Sequence, residues 1–157
     1  MLTQDSENCP FCVKEIKEVS FAESKNFLAI YNNAPILPGH SLIISKSHIE
    51  SVLDLTSDTR SEMMELSMES IKILRKVFGS ESFDWTIQEG TEAGQSIPHL
   101  HLHLIPRKKK DLPNPGDWYP LLEKAAEEQH IESENRSKLT FNQMKEVVNN
   151  IKKIALS

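Results

Sequence analysis

The chain has 157 residues, 38% of them hydrophobic and 26% charged, with a formal net charge of −5. That balance describes one globular domain with a real core and leaves a second domain little room. It excludes a membrane-spanning chain, since no apolar run nears the length a bilayer requires. It also argues against stable nucleic-acid binding, which needs a basic face.

In chain order, "MLTQDSENCPFC" lacks the basic and apolar regions of a signal peptide, so a cytoplasmic location is expected. Cys9 and Cys12 are the only cysteines. In a reducing compartment their spacing reads as a metal half-site or a redox pair rather than a structural disulfide. A thioredoxin-like motif would follow a strand and open a helix, and neither pattern surrounds these residues. "FLAIYNN" and "SLIISKSH" read as short strands joined through "APILPGH", where Pro38-Gly39 supplies a turn. "SDTRSEMMELSMESIKILRKVFG" reads as a helix, with Asp58 and Glu62 early, Lys72, Arg75 and Lys76 late, and Gly79 as its stop. Met64, Met68, Ile71, Leu74 and Phe78 form the apolar stripe expected to face the core. "FDWTIQEG" reads as another strand. Beyond Arg107, "KKKDLPNPGDWYP" is loop, and "LLEKAAEEQHIESENRSK" is helix-prone and charged, with His130 expected at the surface. "TFNQMKEVVNNIKKIAL" opens on a capping box, Thr140 to Gln143, and places Phe141, Met144, Val148 and Ile151 at helical spacing. Strands and helices interspersed in this way predict an α+β domain with an antiparallel sheet.

After "FDWTIQEG" comes "GQSIPHLHLHLIPRKKK", residues 94–110, where His99, His101 and His103 alternate with leucines. Alternation is the strand period: the leucines enter a core and the histidines share the other face. Clustered imidazoles serve two chemistries, a transition-metal site or nucleophilic catalysis in which neighbouring rings set a tautomer. The preceding loop, "GTEAGQS", brings glycines, the Gln95 amide and the Ser96 hydroxyl toward one point. Such donors suit an anion. Donors beside imidazoles fit phosphoryl or nucleotidyl transfer better than a bare metal site, because phosphorus under attack keeps its anionic oxygens.

"HLHLHLI" matches the His-apolar-His-apolar-His-apolar-apolar signature of the histidine triad family. "IQEGTEAGQSIPHLHLHLIPRK" resembles its fragile histidine triad branch, whose members hydrolyse dinucleoside polyphosphates, and the likeness covers roughly residues 9–110. The resemblance implies a five-stranded antiparallel sheet with helices, a homodimer, and one domain over residues 1–157 with a charged helical extension from 117. It implies attack at an α-phosphate by His101 and a covalent nucleotidyl-histidine intermediate, with His99, His103 and His40 in support. Asn32 matches a ribose-contacting position, Gln95 and Ser96 match phosphate-contacting ones, and Gln88 stands where the related nucleoside phosphoramidases have Asn. A divalent cation such as magnesium would accompany the substrate. Phosphoramidate cleavage, or slow turnover by a nucleotide-binding signalling protein, is the alternative. "CPFC" departs from the animal branch and resembles bacterial members in which Cys9, Cys12, His48 and His99 would hold structural zinc. A zinc-bound His99 could not also donate a proton.

Overall fold

A computed structural model of the chain describes residues 4–127 and 138–157; His130 lies outside these residues. Five strands, β1 (Ser20–Glu23), β2 (Phe27–Tyr31), β3 (Ser41–Ser45), β4 (Ser82–Ile87) and β5 (His101–Arg107), form one sheet in the order β1-β2-β3-β5-β4. Every neighbouring pair is antiparallel, giving the expected α+β architecture. The helices are α1 (Gln4–Glu7), α2 (Ser57–Phe78), α3 (Trp118–Glu127) and α4 (Phe141–Leu156).

The central strands are apolar without alternation because both of their faces are covered: every residue of β2 and β3 is buried. Register then sorts the faces. Ala29, Ile43 and Leu102 pair across β2, β3 and β5, and Ile44 and Leu42 pair with His101 and His103 on the opposite face. The leucines of the histidine stretch enter the core as expected, with Leu100, Leu102 and Leu104 all buried. Each contributes roughly 1.5–3 kcal/mol by that burial. β1 is the strand that patterning did not single out; it is four residues long and its register is broken between Ser20 and Ala22.

α2 runs over the residues expected, from the Thr56 cap to Gly79, whose left-handed φ of 66° ends it. Its buried face differs from the expected stripe. Met63, Leu66, Ser67, Ser70 and Leu74 face inward, while Met64 and Met68 stay 43% and 39% exposed. The serines made the true face look polar. Buried, Ser67 and Ser70 donate their hydroxyls to the carbonyls of Met63 and Leu66 at 2.7 Å, which satisfies them and leaves a small-residue surface for close packing. Glu62, on the rim of this helix, accepts from Ser24 Oγ at 2.5 Å and from the Asn26 backbone N–H at 2.6 Å, holding the β1–β2 turn.

The end of the chain packs onto this core through α4. The capping box of α4 forms as expected, and Met144, Val148 and Ile151 are buried against α2, β1 and β2. Arg107, at the end of β5, binds Asp84 and Asp111 through charged hydrogen bonds and donates to the carbonyl of Pro115 at 2.6 Å. This fork steers the chain from the histidine strand into α3.

Candidate active site and metal centre

The turn before β3 needs a glycine. Gly39 has φ of 89°, and a Cβ there would sit 2.8 Å from Pro106 and 2.9 Å from Phe78. Packed so tightly, the turn delivers His40 into the interior, fully buried beside β5. The backbone N–H of Ile36 donates to His40 Nδ1 at 3.2 Å, so the proton of a neutral His40 resides on Nε2. Nε2 is 2.9 Å from His103 Nδ1 and donates to it. His103 in turn keeps its own proton on Nε2. Asn32, whose Oδ1 accepts from the Ala34 N–H, places its Nδ2 3.3 Å from His40 Nε2.

His101 is set in the opposite sense. Its Nδ1 lies 2.6 Å from the carbonyl oxygen of His99, which can only accept. Nδ1 therefore carries the proton and Nε2 keeps a lone pair. Burial lowers the pKa of His101, and lowers that of His103 well below the ordinary imidazole range; His40 is pushed down to about 3, chiefly by burial. All three rings are neutral at pH 7. A neutral imidazole with a free ring nitrogen is a nucleophile.

His101 and His103 line a cavity of about 440 Å³, walled by Phe11, Ile16, Ile30 and Leu42 and bordered by Asn32 and Ser96. The donor loop reaches it through Gly94, Ser96 and Ile97. Gly94 has φ of 88°, a backbone conformation that favours glycine, and a Cβ there would lie 2.8 Å from the Gln88 amide nitrogen. Gln88 is thus packed beneath the loop rather than in the cavity lining. Gln95 also turns aside: its amide oxygen accepts the Gly90 N–H at 2.7 Å.

His99 lies just before β5, fully buried, with both nitrogens engaged. Nε2 donates to the carbonyl of Ser45 at 2.7 Å, and Nδ1 faces Cys9 Sγ at 3.4 Å and Cys12 Sγ at 3.5 Å. His48 Nδ1 approaches Cys12 Sγ at 3.4 Å. The four ligand atoms all lie within 4.8 Å of one another. Tetrahedral zinc with two sulfur and two nitrogen ligands has sulfur–nitrogen edges of roughly 3.5 Å, so the cluster fits such an ion. His48 Nε2 is buried without a hydrogen bond, and Glu50 at 3.8 Å is the nearest carboxylate to it. Burial raises the Cys12 thiol to about 11, so an ion would have to displace that proton. The sequence offered His99 both a supporting catalytic role and a place in the zinc set; its ring faces the cysteines.

Phe11 escaped the sequence reading. Its ring contacts His99 and His101 edge-on at centroid distances of 5.5 and 5.4 Å, joining the two clusters. Its position inside "CPFC" was the available signal.

The sequence profile of the HIT domain matches residues 13–110. A bis(5'-nucleosyl)-tetraphosphatase (asymmetrical) of Schizosaccharomyces pombe is 36% identical over 104 residues, which are 66% of this chain but 57% of that protein. The match therefore spans little more than half of that relative. A bis(5'-adenosyl)-triphosphatase of Dictyostelium discoideum is 32% identical over 123 residues, 78% of this chain and 81% of its own. Among solved structures, diadenosine triphosphate hydrolase of Plasmodium falciparum superposes with a TM-score of 0.64 at 28% identity, covering 87% of this chain and 76% of that one. A zinc-bound histidine triad family protein of Mycobacterium smegmatis gives 0.60 at 26% identity, covering 79% and 96%.

Proposed function

The chain belongs to the HIT-domain family, and from that premise we propose that it hydrolyses dinucleoside polyphosphates at an α-phosphorus, with His101 as nucleophile. One observation carries the reading: the 2.6 Å bond from His101 Nδ1 to the His99 carbonyl frees Nε2 of a neutral ring lining the cavity. Nε2 attacks the phosphorus; an N–P bond forms, the bridging P–O bond breaks, and the remaining nucleoside phosphate leaves with the electron pair. Water then attacks the nucleotidyl-histidine, releasing a nucleoside monophosphate, a proton and the free ring. His103, held by His40, offers its Nε2–H to the phosphate oxygens. Ser96 and Gln95 serve the same oxygens, Gln95 after turning its amide from Gly90, while Gln88 supports their loop. Asn32 serves the ribose in this reading, and magnesium travels with the polyphosphate.

Cys9, Cys12, His48 and His99 hold zinc in this reading. A closed Cys₂His₂ set gives it a structural role, fastening the N-terminal segment to the histidine strand. A set that needs reduced thiols agrees with a cytoplasmic location, and the net charge of −5 argues against stable nucleic-acid binding. No described helix is long and apolar enough to cross a membrane. Residues 1–157 act as one domain that pairs with a second copy. Met64, Met68 and Trp85 remain about two-fifths exposed, and β4 is a sheet edge.

The test is isotopic. Turnover of diadenosine tetraphosphate in oxygen-18 water places the label on the monophosphate that passes through His101, and an alkaline quench within milliseconds traps an acid-labile adduct on the protein. Label confined to the polyphosphate-derived product would overturn the assignment. Faster turnover of adenosine phosphoramidate than of any dinucleoside polyphosphate would move the protein to the phosphoramidase reading.

A further inference from the structure

The cavity in front of His101 is closed by residues outside the 13–110 family match. α3 contributes Leu122, Glu123, Ala125 and Ala126; Lys138, just before α4, and Phe141, its first residue, add to the wall. Two anchors hold this wall. The Tyr119 hydroxyl lies 3.4 Å from where a Gly94 Cβ would be, so α3 rests against the donor loop. On the other side the Leu139 N–H donates to the Asn33 carbonyl at 2.8 Å, which ties the approach to α4 to the residue after Asn32. Among the described residues, Lys138 is the only lysine or arginine in the lining, and Glu123 the only acid. No described ion pair occupies Lys138.

From these placements we infer that α3 and residues 138–141 complete the substrate cavity, with Lys138 as a substrate-binding residue for the anionic part of the nucleotide and Ala126 as the wall that limits what enters. The inference rests on the hydrolase reading for its substrate class. A polyphosphate carries several negative charges into a chain of net charge −5. Neutral histidines and loop donors carry no formal charge, so Lys138, the one cation among the described lining residues, adds a charge-assisted hydrogen bond to what magnesium supplies. The small cavity suits one nucleotide rather than two, which leaves the departing half outside.

Full-length wild type, Lys138→Ala, Lys138→Arg and Ala126→Phe would be compared for diadenosine tetraphosphate turnover and for binding of adenosine 5'-monophosphate and adenosine. Lys138→Ala is expected to raise KM and the monophosphate Kd roughly tenfold, the scale of one charged hydrogen bond, with kcat within about threefold. Adenosine binding should not change, the salt dependence should weaken, and Lys138→Arg should restore most of the loss. Ala126→Phe should weaken both ligands by filling the cavity. If wild type neither binds the monophosphate nor turns over, the hydrolase reading falls. If wild type does both while Lys138→Ala and Ala126→Phe keep its KM and Kd, the inference alone falls. Equal losses for adenosine and its monophosphate in Lys138→Ala would also overturn the anionic role.

Discussion

The carbonyl oxygen of His99 accepts the Nδ1–H of His101 at 2.6 Å, so one histidine fixes the tautomer of the other through its backbone while its own ring faces two cysteines. This division predicts unequal mutants. His101→Gly should lower kcat by several orders of magnitude, at least about 10³-fold, because it removes bond making, yet leave the Kd for a nucleoside monophosphate within a few-fold. Steady-state kinetics beside calorimetry checks this, and a variant with wild-type kcat would rule His101 out as nucleophile.

The cysteine–histidine cluster predicts about one zinc per chain. Cys9→Ser combined with Cys12→Ser should remove the metal and lower Tm, since the site joins segments far apart in sequence. Elemental analysis and calorimetric melting give the two readouts. Protein purified without chelator and found free of metal would sink the proposal.

His40 predicts an acid limit on stability. Its pKa falls from 6.5 to about 3 in the folded chain, mainly through burial. The unfolded chain therefore binds this proton first. His40's contribution is complete above pH 6.5 and is lost as pH falls from there toward about 3. The full linkage amounts to several kcal/mol at most. Denaturant melts of metal-loaded protein across this range should show stability falling with pH. His40→Asn should flatten the dependence by one proton's worth. The same variant should cost about 1–3 kcal/mol at pH 7, because His103 Nδ1 loses its donor. An unchanged pH slope in His40→Asn would refute the assignment.

The exposed methionines predict a dimer. Met64 and Met68 lie on the face of α2 away from its buried residues. Light scattering at micromolar concentration should give twice the chain mass, and Met64→Glu with Met68→Glu should shift it toward one chain without unfolding. A single-chain mass for wild type would end the dimer proposal.

What was legible in sequence is local. Alternation in "HLHLHLI" specified a strand and sent Leu100, Leu102 and Leu104 inward, because side-chain direction along a strand follows from backbone geometry alone. The capping box at Thr140 and Gln143 marked the start of α4 for the same reason. The hidden face of α2 was not legible, since Ser67 and Ser70 are apolar partners only once their hydroxyls bond back to the helix. Nor could spacing separate His99 from its neighbours. That depended on Ser45 and Cys9 arriving from 54 and 90 residues away to occupy the two nitrogens of its ring. Lys138 lines the cavity beside the point where the Leu139 N–H meets the Asn33 carbonyl, more than a hundred residues away in sequence. Sequence patterns record what neighbours along the chain impose on one another. The tautomer of His101 and the wall that α3 and residues 138–141 give the cavity depend on which distant groups share a few ångströms, and tertiary packing decides that.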